Sequence, residues 1–407
     1  MLRLFPYGMA LVEFEFSFPP PLSLYIHIPW CARKCPYCDF NSHEVNNELP
    51  ERAYIDALLA DLEQELPDVW GRTVETIFIG GGTPSLFSAV AIERLVSGVK
   101  ARLSCKPGLE TTLEANPGTV ERGRFRDFHE AGVNRLSIGV QSFNDVLLAS
   151  IGRIHDAGSA IRAVESARDA GFETFNLDLM FGLPGQSIDQ ALSDLQLAMD
   201  LLPPHLSWYQ LTVEPNTLFH QRRLDLPEED QIWDMQEEGQ ARLAAHGYTQ
   251  YEISAYAREG QTCRHNLNYW RYGDYLGIGA GAHAKITFAA DQYVRRTWKI
   301  KHPRAYLRAA VNEERIGGRS CPEPKNVIFE FLLNALRLNK GFAGQDFEMS
   351  TGLRFADLLP VLKGIRAPEL LEIGAHGVRA SKQGRYYLNE LLAEFLPDDR
   401  VSKLHDD

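Results

Sequence analysis

"IPWCARKCPYCDFNSH", residues 28–43, holds three cysteines in sixteen residues, Cys31, Cys35 and Cys38, spaced C-x3-C-x2-C. Zinc ribbons ask for four ligands, usually as two C-x2-C pairs, and no second pair exists here. Thioredoxin-type redox sites use C-x2-C alone. A four-iron cluster offers four corners, each wanting one ligand, so three cysteines on one loop leave an iron open for a further molecule. A metal staple completed from afar, by Cys105, Cys263 or a histidine, stays open on spacing alone.

Just before this loop, "SLYIHI" (23–28) is a β-branched and aromatic run of strand type. Five more such runs follow: "VETIFIG" (74–80), "ETTLEA" (110–115), "NRLSIGV" (134–140), "TFNLDLM" (174–180) and "HLSWYQL" (205–211). Between them, "ERAYIDALLADLEQEL" (51–66), "SAVAIERLVSGVKARL" (88–103) and "IDQALSDLQLAMDLL" (188–202) repeat apolar residues at three and four, the helical period. Strand–helix alternation of this kind predicts an α/β chain built on a parallel sheet. The unusual residues fall just after the strands, at the carboxyl edge where such folds keep their sites.

Past residue 225 the alternation loosens. "DQIWDMQEEGQARLAAHG" (230–247) is of helix type, "YTQYEISAYA" (248–257) reads as one strand, and the polar, Arg-rich stretch 295–321 reads as a connector. From 322 onward, "KNVIFEFLLNALRL" (325–338) and "FADLLPVLKGI" (355–365) predict helices. "LLEIGAHGVRASKQGRYYL" (370–388) predicts a hairpin turning at Gly374 and Gly377 before a last helix. Helix, helix, hairpin is a winged-helix outline. Eleven Lys+Arg against thirteen Asp+Glu over 321–407 favour a packing or lid role over DNA binding.

Bulk composition agrees. A formal net charge of −12 argues against a nucleic-acid partner. No run of ~18 apolar residues spans a membrane, and residues 1–21, broken by Pro6, Gly8, Glu13 and Glu15, read as a poorly ordered extension in which Met9 is an alternative start. Without an export signal, disulfides are not expected, and the chain is placed in the cytoplasm, with peripheral membrane association left open.

The cysteine loop, with Tyr37 before its last cysteine, resembles the signature of the radical S-adenosylmethionine (SAM) superfamily. That resemblance implies a 4Fe–4S cluster on Cys31, Cys35 and Cys38, SAM on the open iron, and a partial (β/α)6 barrel with a C-terminal winged-helix-like α+β domain. "YIHIPWC", "CPYCDFNSH", "FIGGGTPS", "LEANPGT", "RLSIGVQSF" and "NLDLMFGLPGQS" narrow it to the oxygen-independent coproporphyrinogen III dehydrogenase-like family, over roughly residues 22–395. The resemblance assigns SAM contacts to Tyr25, Tyr37, Gly81, Gly82, Thr83, Glu114, Gln141, Arg153, Asp178 and Thr212. The three glycines of "GGGTPS" (80–85) also let backbone N–H groups approach a ligand on their own account.

Two departures separate this sequence from the family's decarboxylating members, which resemble it but carry C-x3-C-x2-C-x-C and a longer N-terminal segment. Here the last cysteine place is Phe40, and two dozen residues precede Tyr25. A heme-carrying branch of the family resembles it in "HNLNYW" (265–270) as well. There the resemblance implies heme contacts from His265, Asn266, Tyr269 and Trp270. Imidazole is a common axial ligand to heme iron, aromatics cover a porphyrin face, and Asn266 is suited to orienting the imidazole. The expected function is a heme carrier passing heme to an acceptor protein of respiratory, membrane-associated type, as a monomer or a cluster-dependent dimer. The alternative is coproporphyrinogen III oxidative decarboxylation. The expected division is a barrel over 22–260, a heme-motif segment and connector over 261–321, and a C-terminal unit over 322–407.

Overall fold

The computed structural model describes residues 13–396 apart from 46–47, 120–122 and 376; the alternative start at Met9 and the chain past 396 lie outside them. Six strands stand side by side in chain order, all parallel: β1 (Leu22–Ile28), β2 (Thr73–Gly81), β3 (Ser104–Ala115), β4 (Arg135–Gln141), β5 (Thr174–Phe181) and β6 (His205–Gln210). Helices α1 (Glu51–Glu65), α2 (Ala89–Lys100), α3 (Arg124–Glu130), α4 (Asp145–Ser150), α5 (Ala157–Asp169) and α6 (Ile188–Asp200) make the crossovers, followed by α7 (Glu229–Ala245). The strands are buried nearly end to end because helices cover the outer face while side chains fill the inner one.

The sheet does not close. Beyond β6 lies a hairpin of β7 (Thr249–Glu252) and β8 (Ala255–Ala257), in which β8 pairs antiparallel with β6 and β7 antiparallel with β8. Beyond β1 lie β9 (Asp274–Ile278), parallel to it, then β10 (His283–Phe288), β11 (Tyr293–Lys299) and β12 (Ile316–Ser320), antiparallel in turn. All twelve strands form one sheet, an open arc rather than a barrel.

Two expectations need correction here. Residues 248–257 are two strands, split where Ser254 N–H donates to the Glu252 carboxylate at 3.2 Å and turns the chain. The Arg-rich stretch 295–321 is two strands, β11 and β12, joined through the helix Pro303–Ala309 rather than a plain connector, and two of its cations point inward. Lys299 and Arg315, 1% and 2% exposed at their side chains, meet Asp61 of α1 at 2.7 and 2.8 Å, and Arg315 also meets Glu65 at 2.8 Å. A buried cation needs such partners, and they come from a helix more than two hundred residues away in sequence, which local pattern cannot reveal.

C-terminal to the sheet, helices Pro324–Ala335, Gly344–Thr351 and Phe355–Lys363, the hairpin Leu371–Gly374 with Gly377–Ala380, and helices Lys382–Tyr386 and Leu388–Ala393 share a core of their own. Phe331, Leu332, Phe347, Leu358 and Leu391 are among its fully enclosed members. The helix at 344–351 has no counterpart in the sequence reading. Among the described residues, no helix is long and apolar enough to cross a membrane.

Candidate functional site

The cysteine loop leaves the carboxyl end of β1 and is pinned by its backbone. Gly82 N–H donates to Ile28 O at 2.8 Å, Thr83 N–H to Trp30 O at 2.7 Å and Val45 N–H to Cys31 O at 3.0 Å. Asn41 ties its far side down, with Nδ2 donating to Ala280 O and Lys301 O, both at 2.9 Å. Gly152 packs so closely on Pro36 that a Cβ there would stand 2.6 Å from the proline ring. Cys31 is buried, Cys35 and Cys38 half-buried, and all three are free thiols. Burial pushes the Cys31 and Cys38 thiols up, so a bound cation is what would hold them as thiolates. Among the described residues no group of three or more His, Cys, Asp or Glu is placed to hold a single metal ion. The three thiols of one loop are the donor set that a cluster gripped at three corners requires.

Behind the loop lies a cavity of about 610 Å³. Every residue expected at the SAM site lines it: Tyr25 from β1, Tyr37 from the loop, Gly81, Gly82 and Thr83 after β2, Glu114 of β3, Gln141 of β4, Arg153 after α4, Asp178 of β5 and Thr212 past the end of β6. The glycines are sterically required. Gly81 has φ +120, and a Cβ on Gly82 would sit 2.5 Å from Trp30 O. Gly81 N–H donates to Glu114 Oε2 at 2.9 Å, yet burial still pushes the Glu114 carboxyl up to about 8, with Asp178 adding to the effect. Gln141 holds a left-handed backbone, φ 69, and accepts the Tyr209 hydroxyl at 3.0 Å. Arg153 donates to Gly139 O at 2.6 Å and reaches Cys35 Sγ at 3.6 Å, while its Nε has no partner. An orphaned donor beside the cysteine loop fits a ligand carrying acceptors.

The "HNLNYW" segment folds as a short helix, α8 (Arg264–Trp270), at the opposite, amino end of the strands. His265, Asn266 and Tyr269 line the cavity; Trp270 does not, and its ring instead lies under Arg337, 4.4 Å from the guanidinium carbon. His265 is 1% exposed. Thr76 Oγ1 donates to Ser23 Oγ, so the 2.8 Å contact between Thr76 Oγ1 and His265 Nδ1 is a bond donated by the imidazole. Nε2 then carries the lone pair, facing the Tyr269 hydroxyl at 3.3 Å. Burial, with Arg135 adding to it, lowers the imidazole pKa to about 3, so the ring is neutral.

Arg135, Asn176, His205, Ser207, Tyr209 and Glu252 also line the cavity and were not singled out from sequence. A signal existed. Arg135, Ser137, Gly139 and Gln141 face the cavity at every second residue of β4, as do Asn176, Asp178 and Met180 of β5 and His205, Ser207 and Tyr209 of β6. That is the strand period, hidden because the other face is buried too.

Residues 25–198 match the Radical SAM superfamily and residues 323–387 the HemN C-terminal domain. Heme chaperone HemW of Escherichia coli (strain K12) is 50% identical over 379 residues, covering 93% of this chain and 99% of its own. Its counterpart in Bacillus subtilis (strain 168) is 36% identical over 386 residues, covering 92% and 99%. The chain belongs to the heme chaperone HemW family. Its fold is shared with the Escherichia coli coproporphyrinogen III oxidase HemN, whose solved structure aligns with a TM-score of 0.77 at 24% identity over 93% of this chain and 90% of that one. Membership of the radical SAM superfamily implies a 4Fe–4S cluster and SAM. In this member of the HemW family the place two residues past Cys38 is Phe40, 59% exposed at the cavity mouth.

Proposed function

We propose that this protein binds heme and delivers it to an acceptor protein of respiratory, membrane-associated type, and that a cluster on Cys31, Cys35 and Cys38 with SAM in the cavity sets the state that does so. The observation that carries the reading is 50% identity, over nearly the whole of both chains, to a protein named a heme chaperone. Cys31, Cys35 and Cys38 would hold the cluster, which when bound would supply an open iron as a site for SAM. The chain supplies the rest. Gly81 and Gly82 clear room, Glu114 and Asp178 offer oxygens to hydroxyl and amino donors, and Arg153 offers its free Nε to the carboxylate side. Tyr37 closes the loop over the cavity against Phe219, ring to ring at 6.2 Å.

In the same proposal the 265–270 segment contacts heme, within the division into barrel, heme-motif segment and C-terminal unit. His265 has the right tautomer for iron, with its lone pair on Nε2, but Tyr269 covers that nitrogen. Ligation therefore requires Tyr269 to give up this bond and α8 to move outward. A cavity of about 610 Å³ is the size of a site for one small ligand, so heme and SAM do not share it in the closed form.

The test is a hemin titration of anaerobically purified, cluster-loaded protein. We expect a Soret band whose position shifts in His265→Ala; an identical spectrum in that variant removes His265 as the ligand. Coproporphyrinogen III under reducing, oxygen-free conditions with SAM should give no protoporphyrinogen IX, and its appearance would establish the decarboxylase reading instead.

A further inference from the structure

Arg135 opens β4 at the amino end of the cavity, and its side chain is almost wholly enclosed, with the residue 2% exposed. Among the described residues neither its Nε nor its Nη2 has a hydrogen-bond partner. Its surroundings make that omission specific. Asn176 Nδ2 donates to Ser137 Oγ and to Asp178 Oδ1, both at 2.8 Å, and Ser137 Oγ donates to Asp178 Oδ2 at 3.0 Å. Asn176 Oδ1 takes Ser207 Oγ at 3.1 Å and His205 Nδ1 at 2.7 Å, and His205 Nε2 meets Tyr251 Oη at 2.8 Å. The two nearby carboxylates are engaged elsewhere: Asp178 as above, and Glu110 by the backbone N–H groups of His265 at 3.0 Å and Arg264 at 3.2 Å. The network at the cavity floor leaves out the Arg135 guanidinium edge and, beside it in register on β3, the Thr112 hydroxyl.

A buried donor without an acceptor is costly and asks for an explanation. Nε and Nη2 together form the side-on edge of a guanidinium, whose two parallel N–H bonds match the two oxygens of a carboxylate. Arg135 lies six residues before Gln141 on the same strand, roughly 20 Å along it at the rise of a β-strand.

We propose that Arg135 is an anion subsite at the cavity floor that grips one carboxylate through its Nε–Nη2 edge. Two sources share this chemistry: a propionate arm of a tetrapyrrole, or the carboxylate of a small free acid. The first rests on the heme-carrier reading; the subsite itself does not.

The experiment uses full-length, cluster-loaded protein in two arms. In the first, sodium propionate is compared with sodium chloride at equal ionic strength, and the melting temperature is read. We expect propionate to raise it by on the order of a degree or two beyond chloride in the wild type and not in Arg135→Gln. In the second, hemin and hemin dimethyl ester are titrated at the Soret band. If the arm is a propionate of the porphyrin, the ester binds about tenfold more weakly to the wild type, and the two ligands become equal in R135Q. Propionate stabilisation without an ester effect assigns the subsite to a free acid. Arg135→Lys, which keeps the charge and loses the two-pronged edge, should behave like R135Q and replaces it if R135Q fails to fold. A wild type indifferent to both propionate and esterification overturns the proposal, as does a response that survives in both variants. A failure of heme to bind at all removes only the second arm.

Discussion

The two ends of the cavity are built on opposite plans. At the carboxyl edge, side chains come from loops and glycine turns, three thiols stand outside any disulfide, and Arg153 Nε has nothing to bond. At the amino edge, α8 plugs the arc, and His265, Thr76, Ser23, Asn176 and His205 close their hydrogen bonds on one another. The open end is arranged to receive something and contributes little to its own stability. The plugged end is core, stable as it stands, with Arg135, Thr112 Oγ1 and Trp270 Nε1 as its exceptions among the described residues. Removing residues should therefore disable the first end without unfolding the chain, and unfold the chain before disabling the second.

The largest expected effect is at the open end. Cys31→Ala, Cys35→Ala or Cys38→Ala should abolish bound iron and sulfide, measured on anaerobic material, while far-ultraviolet circular dichroism stays that of the wild type. A variant that keeps its full iron content would show that the three thiols are not the ligands. Next comes the plug. His265→Ala removes a fully enclosed ring and strips partners from the Thr76 and Tyr269 hydroxyls. It should cost about 2–4 kcal/mol in denaturant unfolding and leave the iron-to-protein ratio unchanged. Loss of the cluster in that variant would mean that the two ends are one cooperative unit.

How much of this could be read in the sequence follows the same division. The open end was legible because its signature is local: three thiols within eight residues, three glycines in a row, and each further residue just past a strand whose type the β-branched runs announced. The arc was legible up to β6 for the same reason. "HNLNYW" was legible as a motif but not as a plug, because Thr76, Ser23 and Glu110, which fix it, lie more than a hundred and fifty residues away in sequence. Trp270 shows the limit plainly: adjacent to Tyr269 in the chain, it faces Arg337 of the C-terminal part instead of the cavity. Strands β11 and β12 were missed because their arginines and lysine read as a solvated linker until Asp61 and Glu65 are brought beside them.

A smaller effect sharpens the claim that the open end gives up stability. The Glu114 carboxyl is raised from its ordinary 4.5 to about 8, mainly by burial. The folded protein therefore holds a proton that the unfolded chain releases at lower pH, and this favours folding fully at acid pH and less as pH climbs from about 4.5 to 8. Glu114→Gln lacks the titration. Its melting temperature should match the wild type near pH 5 and exceed it increasingly up to pH 8.5. A constant gap across that range would mean that Glu114 is already ionised in the ligand-free protein.

The smallest expected effect falls on Phe40. Its backbone carbonyl does the structural work of the turn, accepting Ser42 N–H at 2.7 Å and Lys34 Nζ at 3.1 Å, and any residue supplies a carbonyl. The ring itself is 59% exposed. Phe40→Ala should therefore change unfolding free energy by no more than about 0.5 kcal/mol, as exposed positions do. Phe40→Cys should leave the iron-to-protein ratio where it was, since a side chain directed largely into solvent does not complete a site built behind the loop. Iron content that rises in Phe40→Cys would place residue 40 within reach of the cluster and make the mouth of the cavity, rather than the three cysteines alone, part of the open end.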